Sequence, residues 1–337
     1  MTDSAPPPRA FRPARLSVAG LLGKLAPAIS LVAVIALFYA LYPDRPLSLD
    51  DVRTILVHTV IIGLAALGMT VVIVSGGIDL SVGSSVALCS IAAATAMELS
   101  GPRLGPVLAI AAAVFVGIAC GVYNGALIAF FRLPPFIVTL GTLGFYRGLA
   151  KWWSGGRPVS APTSWLESWA SPRPAQAWLL VAPAVWVLLA IALIVAVLLH
   201  RTVAGRYAVA MGSNEEAARR AGIPLARNKI LVYASAGILV GLAGVILFVR
   251  QSGMGDPTGQ IGLELSVIAA VVIGGASLSG GYVSVWGTLC GALLIKLLDN
   301  RCTAVGWPNY VQELVVGHII IAAVAVDQWR RKRGMAA

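Results

Sequence analysis

The hydrophobic positions of this chain come in long continuous blocks, with little of the alternation that marks strands or amphipathic helices. Each block is about as long as the ~20 residues a helix needs to cross ~30 Å of hydrocarbon. The pattern predicts ten spans, at about 25–42, 54–75, 82–99, 105–130, 135–153, 178–200, 229–250, 263–279, 281–299 and 310–328. Gly and Pro interrupt the third, fifth and eighth. Polar positions gather in two internal segments, 154–177 and 205–228. The expected architecture is all-α and polytopic, with one transmembrane domain (21–329) between two basic tails (1–20 and 330–337).

Composition agrees. The chain is 58% hydrophobic and 12% charged, whereas a soluble globular protein is about half apolar and a quarter charged. The net charge of +11 is not spread as a nucleic-acid footprint, because no basic stripe with interleaved aromatics occurs. The bases cluster at Arg9, Arg12, Arg15 and Lys24, at Arg201, Arg206, Arg219, Arg220, Arg227 and Lys229, and at Arg330, Arg331, Lys332 and Arg333. Lys and Arg mark cytoplasmic segments. All three clusters share one side only if even numbers of spans separate them, and the predicted six and four satisfy that.

The first fifteen residues, with Pro6, Pro7, Pro8 and Pro13, read as a disordered tail. The block after them is longer than a signal-peptide core and reads as an uncleaved first helix. The 154–177 loop then lies outside. Its Trp165 and Trp169 suit an interfacial aromatic belt or a docking surface for an external partner. Cys89, Cys120, Cys290 and Cys302 have no CxxC spacing, which argues against a metal site or a disulfide framework.

The segment 205–228 carries the most local information. Ser213 is placed to cap a short helix, with Glu216 completing a capping box. Glu215 and Glu216 fall in its first turn and Arg219 and Arg220 in its last, as the helix dipole favours. Glu215–Arg219 and Glu216–Arg220 are i,i+4 pairs. Gly222 is the expected terminator, and Pro224 prevents continuation. Ala217, Ala218 and Ala221 give a small-residue face suited to a close partner. Such heavy capping on an element with no core of its own suggests docking.

Two Gly-rich breaks are predicted on the same cytoplasmic side. One is Gly76-Gly77, with Asp79, Ser81 or Ser84 able to cap the next helix. The other runs from Gly274 and Gly275 to Gly280 and Gly281. Broken helices in transporters line cavities, so both are expected to help form an inner gate. Asp79 has a second reading as an intramembrane proton carrier. Asn124, Thr139 and Thr142 fall mid-span, as pore-lining groups for a neutral solute or as packing glue. Lys296 and Asp299 are expected to pair. Glu98, Glu264 and Glu313 are expected near outer ends, in water. No HExxH, GxSxG or GxxxxGK[ST] occurs, and no catalytic or metal-binding set is expected.

Four runs resemble the ribose/xylose-type ABC importer permeases. Gly212-Ser213-Asn214-Glu215-Glu216-Ala217-Ala218-Arg219-Arg220-Ala221-Gly222-Ile223 resembles that family's cytoplasmic coupling helix. The run from Ser75 through Gly76, Gly77, Asp79 and Ser81 to Ser84 looks like its signature near the second span. Ile268 to Gly281 resembles its late Gly-rich segment, and Pro134 to Thr142 is a weaker match. The resemblance implies a permease subunit in the bacterial inner membrane, in contact with lipid. It implies two ATPase subunits receiving the coupling helices, a periplasmic sugar-binding protein, and a second permease, identical or homologous. No cofactor would bind this chain, and ATP would be used by the ATPase partner. On the same residues the alternative is an ion-coupled secondary transporter of a small polar solute.

Overall fold

The computed structural model describes residues 18–174, 179–308, 310–311, 313–318, 321–322 and 325. The C-terminal tail, most of the N-terminal tail and part of the predicted last span lie outside the described residues. The helices are α1 (Val18–Leu41), α2 (Leu49–Val74), α3 (Val82–Phe130), α4 (Pro135–Trp153), α5 (Pro183–Arg201), α6 (Val203–Ser213), α7 (Glu215–Arg220), α8 (Leu225–Arg250), α9 (Leu263–Ile273) and α10 (Val285–Val305). A two-residue hairpin pairs β1 (Val159–Ser160) with β2 (Met254–Gly255), and a 3₁₀ turn covers Ser164–Trp169. α2, α3, α5 and α8 are each long and apolar enough to cross a membrane. The chain is a multi-pass helical membrane protein.

α2 is the central helix. It is apolar all round, and Val57, Val60, Leu64, Leu67, Val72, Ile73 and Val74 are all buried, as expected of a helix with neighbours on every side. A complete capping box starts it: the Ser48 hydroxyl accepts the Asp51 N–H at 3.0 Å, and Asp51 Oδ2 accepts the Ser48 N–H at 3.0 Å. The same carboxylate meets the buried Arg301 of α10 at 3.2 Å. Arg301 is buried and would be left uncompensated without Asp51, so this contact ties the start of α2 to the end of α10. Near the other end, the Thr70 and Thr288 hydroxyls share a hydrogen bond at 2.9 Å.

The most extensive packing joins α8 to α3, through glycines. A Cβ built on Gly117 would stand 2.1 Å from Gly237 O, and one on Gly121 would stand 2.1 Å from Tyr233 O. Gly125, Gly241 and Gly244 make similarly close approaches to the facing helix. In lipid there is little hydrophobic drive between helices, and such backbone proximity supplies the van der Waals attraction.

The predicted third and fourth spans are two helices that meet at a kink at Gly101, whose φ of 68° and ψ of −178° fit only glycine. Other expectations need correction. The short helix α6 is an element that the hydrophobic pattern does not announce. The predicted eighth span is only half a span. α9 has 11 residues, or about 16 Å at 1.5 Å per residue, against ~30 Å of hydrocarbon. The chain reaches it from the end of α8 through an irregular segment, 251–262. That segment passes Ser90 and Ile91 at Gly255, then Gly83 at Gln260.

Candidate functional site

α6 and α7 form a polar elbow between α5 and α8. Asn214 caps α7: its Oδ1 accepts the Ala217 N–H at 2.9 Å. This corrects the expectation of a Ser213 cap. Ser213 is the last residue of α6, and its hydroxyl donates to Val209 O at 2.8 Å. The asparagine wins because it stands one residue outside α6, in extended conformation, while a residue inside a helix cannot take a cap's dihedral angles. The far end is as expected. The Ile223 N–H bonds Ala218 O, and the Gly222 N–H bonds Arg219 O. With Gly222 at φ 80°, this is a Schellman stop.

Arg220 Nε meets Glu216 at 3.2 Å, and Arg219 meets Glu215 at 3.6 Å. Lys229 of α8 also binds Glu215, at 2.8 and 3.0 Å, which ties the short helix to the foot of a spanning one. Glu215, Glu216, Ala217, Arg219 and Arg220 are exposed, while Ala218 is buried against the chain's own core. The expected small-residue face is therefore partly used internally.

The elbow stands on a contact between three backbones. Gly212 lies at the end of α6, Gly76 follows α2, and Gly280-Gly281 lie in the turn after α9. The Gly281 N–H donates to Val74 O at 2.9 Å. A Cβ on Gly212 would lie 1.9 Å from Val74 O, and one on Gly280 would lie 2.9 Å from Gly212 Cα and 3.0 Å from Gly76 Cα. Gly76, Gly280 and Gly281 have φ of 83°, 86° and 78°, which favours glycine independently of space. Both predicted breaks thus meet the elbow at one point. Gly274 packs on the Gly287 backbone, Gly77 faces Tyr233 Oη, and Gly275 has open space beside its Cα.

From this knot the chain turns back inward to Asp79, which is buried. Its Oδ1 accepts the Ser81 N–H at 2.8 Å and the Ser81 hydroxyl at 2.6 Å. Asn124 Nδ2 donates to Ser81 Oγ at 2.9 Å, and Asn124 Oδ1 lies 2.9 Å from Tyr146 Oη. The Thr139 hydroxyl lies 2.9 Å from Pro135 O and 3.1 Å from Ile78 O. Thr142 sits one turn further along α4, also buried. Asn124, Thr139 and Thr142 therefore stand in helix packing in this conformation. Because an amide oxygen accepts the same two bonds, Asp79→Asn is expected to keep ATP-driven uptake within about threefold. Uptake abolished by Asp79→Asn but spared by Ser81→Ala would instead mark Asp79 as a proton carrier.

A separate open cavity of about 250 Å³ lies between α4 and the 251–262 segment, lined by Leu143, Arg147, Lys151, Thr258, Ile261 and Glu264. Arg147 and Lys151 are absent from the residues singled out by sequence. The available signal was two cations one turn apart inside an apolar block, where a charge is costly and marks function. Glu264, expected near an outer end, is partly exposed on the wall of this cavity and lies beside Gly83 at the start of α3. The predicted Lys296–Asp299 pair forms, at 2.7 Å. Among the described residues no group of His, Cys, Asp and Glu could hold a metal.

Comparison with known proteins gives the family. The family described as branched-chain amino acid transport system / permease component matches residues 52–324. The ribose import permease protein RbsC of Escherichia coli strain K12 is 38% identical over 303 residues, 89% of this chain and 92% of the relative. RbsC of Bacillus subtilis strain 168 is 38% identical over 317 residues, 93% and 95% of the two chains. The L-arabinose ABC transporter permease protein AraH of Azospirillum brasilense is 34% identical over 336 residues, 98% and 95%. No solved structure matches. The chain belongs to the family of ABC importer permease components.

Proposed function

We propose that this permease moves a simple neutral sugar inward, taken from a periplasmic binding protein, through a path built with a second permease copy or a homologous permease. The drive comes from ATP bound by separate cytoplasmic ATPase subunits, each receiving one α7. The chain itself binds no cofactor. The bacterial inner membrane holds it with ten crossings, the eighth made by α9 together with the 251–262 segment, and with both termini in the cytoplasm, the basic elbow lying on the same side as the tails. The relatives' names, ribose and L-arabinose permeases, support the sugar.

One observation carries the coupling role. A short, doubly capped helix with an exposed charged face stands directly on the backbone knot where both broken segments meet. A push on α7 reaches Val74 and Gly281 without passing through any flexible side chain, as rigid-body switching requires. The experiment is tracer uptake into proteoliposomes holding the chain with its ATPase and binding protein, with and without internal ATP. Wild-type uptake should need both ATP and the binding protein. Glu215→Lys with Glu216→Lys should leave insertion intact and cut ATP-driven uptake at least about tenfold, since it places like charges beside Arg219, Arg220 and Lys229. Normal coupled uptake by the double variant would remove α7 from the coupling path. Uptake that ignores ATP but follows an ion gradient would overturn the importer reading itself.

A further inference from the structure

We propose that the cavity between α4 and the 251–262 segment is a solute-binding station that hydrogen-bonds a neutral polyol, through Arg147 and Lys151 on one wall and Thr258 and Glu264 on the other. The inference rests on the importer reading and locates where the solute is held.

The position is specified by the backbone. Gly280 and Gly281 lie beside Gly76 and Gly212, at the elbow end. α9 rises only about 16 Å from that end, so its first residues stand roughly halfway across a ~30 Å hydrocarbon layer. The segment 251–262 must therefore descend from the outer end of α8 to meet it. Irregular backbone at that depth is tolerated only where it is covered by protein or lines a water-filled cavity, and here it lines one.

The wall chemistry suits hydroxyls. Arg147 Nη1 is held by Pro257 O at 2.9 Å and Gly259 O at 2.6 Å. Its other N–H groups remain to donate, and the side chain is fixed in place. Among the described residues the Lys151 ammonium has no partner, so three more donors face the space. On the opposite wall Glu264 Oε1 accepts the Gly262 N–H at 3.2 Å, leaving Oε2 as an acceptor. The Thr258 hydroxyl donates to Asp256 Oδ1 at 2.7 Å, which leaves its oxygen as an acceptor. Donors thus face acceptors across a gap, the arrangement that pairs with a ring of adjacent hydroxyls. Leu143 and Ile261 supply an apolar patch for its C–H face. A cavity of about 250 Å³ is just below the usual range for small-ligand pockets, roughly 300–1,000 Å³, and suits a single sugar ring.

Glu264 and the adjacent Asp256, whose Oδ1 accepts the Thr258 N–H at 2.8 Å, balance the charges of Arg147 and Lys151, which favours a neutral solute over a phosphate or carboxylate. The test uses the whole reconstituted transporter, with D-ribose and L-arabinose as probes and ribose 5-phosphate as the anionic control. Lys151→Met changes the cavity but removes no contact within the described chain. It should lower the kcat/KM of uptake about tenfold, while binding-protein-stimulated ATP hydrolysis stays within twofold. Glu264→Gln should do the same and should admit the phosphorylated sugar better. In a Cys290→Ser background, Ile261→Cys should react with an impermeant thiol reagent several-fold more slowly in the presence of a transported sugar. Unchanged uptake in both wall variants together with unprotected Ile261→Cys would overturn the station. So would stronger protection by ribose 5-phosphate than by either free sugar. If neither free sugar stimulates ATP hydrolysis or enters with the wild-type chain, the sugar-importer reading fails instead.

Discussion

Replacing Gly117 by valine is expected to lower the thermal stability of the purified chain by about 6–12 °C. The local term has the opposite sign. Valine is a better helix former than glycine by a few tenths of a kcal/mol, so on a free helix face the change would be neutral or mildly stabilising. At Gly117 the new Cβ would stand 2.1 Å from Gly237 O and 2.9 Å from Gly241 N. Both neighbours are main-chain atoms of α8 and cannot swing aside. The helices must separate by about an ångström, and Gly121 and Gly125 lose their contacts with Tyr233 and Ile230 in the same movement. Overpacking costs about 1–3 kcal/mol, occasionally more, and the two main-chain neighbours put this site at about 3 kcal/mol, which outweighs propensity several-fold. For a chain of this size each kcal/mol is worth about 2–4 °C. Gly141→Val is the control, because nothing lies within 4 Å of a Cβ built there, and it should shift the midpoint by less than about 2 °C. The measurement is the temperature at which detergent-solubilised chain loses its monodisperse elution. Equal behaviour of the two variants would mean that α3 and α8 do not approach as closely as described.

The same glycines show what a sequence reveals and what it hides. The long apolar blocks point to α2, α4, α5, α8 and α10 almost directly, because twenty apolar residues in a row have few alternatives to a spanning helix. The charged turn at Glu215–Arg220 is also legible, since capping and i,i+4 pairing are local. Its cap is displaced by one residue from the expected position, because Ser213 and Asn214 are both good caps and only the end of α6 decides between them. What stays hidden is anything that depends on depth. Residues 263–279 read as one apolar block, yet α9 stops at Ile273, because Gly274 must lie against Gly287 and Gly275 takes a φ of 89°. Without the half-helix, Glu264 reads as a surface residue. Arg147 and Lys151 do not stand out because the carbonyls and cavity space they meet come from a segment more than 100 residues away.

Replacing Gly212 by alanine is expected to reduce ATP-driven uptake at least about tenfold while the ATPase still binds and turns over. The smallest possible side chain suffices, since its Cβ would stand 1.9 Å from Val74 O and 2.7 Å from Gly281 N. The Gly281 N–H to Val74 O bond at 2.9 Å joins those two atoms, so the methyl group must displace α6 from both. α7 keeps its own cap, its Schellman stop and its tie to Lys229, none of which involves Gly212. The docking element therefore survives and its footing does not. That separates transmission from binding, because ATPase co-purification should persist while transport falls. Gly222→Ala offers the contrast. Its φ of 80° costs an L-residue about 1–2 kcal/mol, but nothing stands near the added Cβ, so the strain loosens the end of α7 without prising the knot apart and should reduce uptake less. If the two variants reversed in order, motion would pass through α7 and Lys229 into α8, and the two Gly-rich breaks would merely lie close together. If Gly212→Ala loses most and Gly222→Ala little, the push on α7 is delivered through Gly212 to α2 and α9 together. That is the geometry by which one external helix can move both broken segments in a single step.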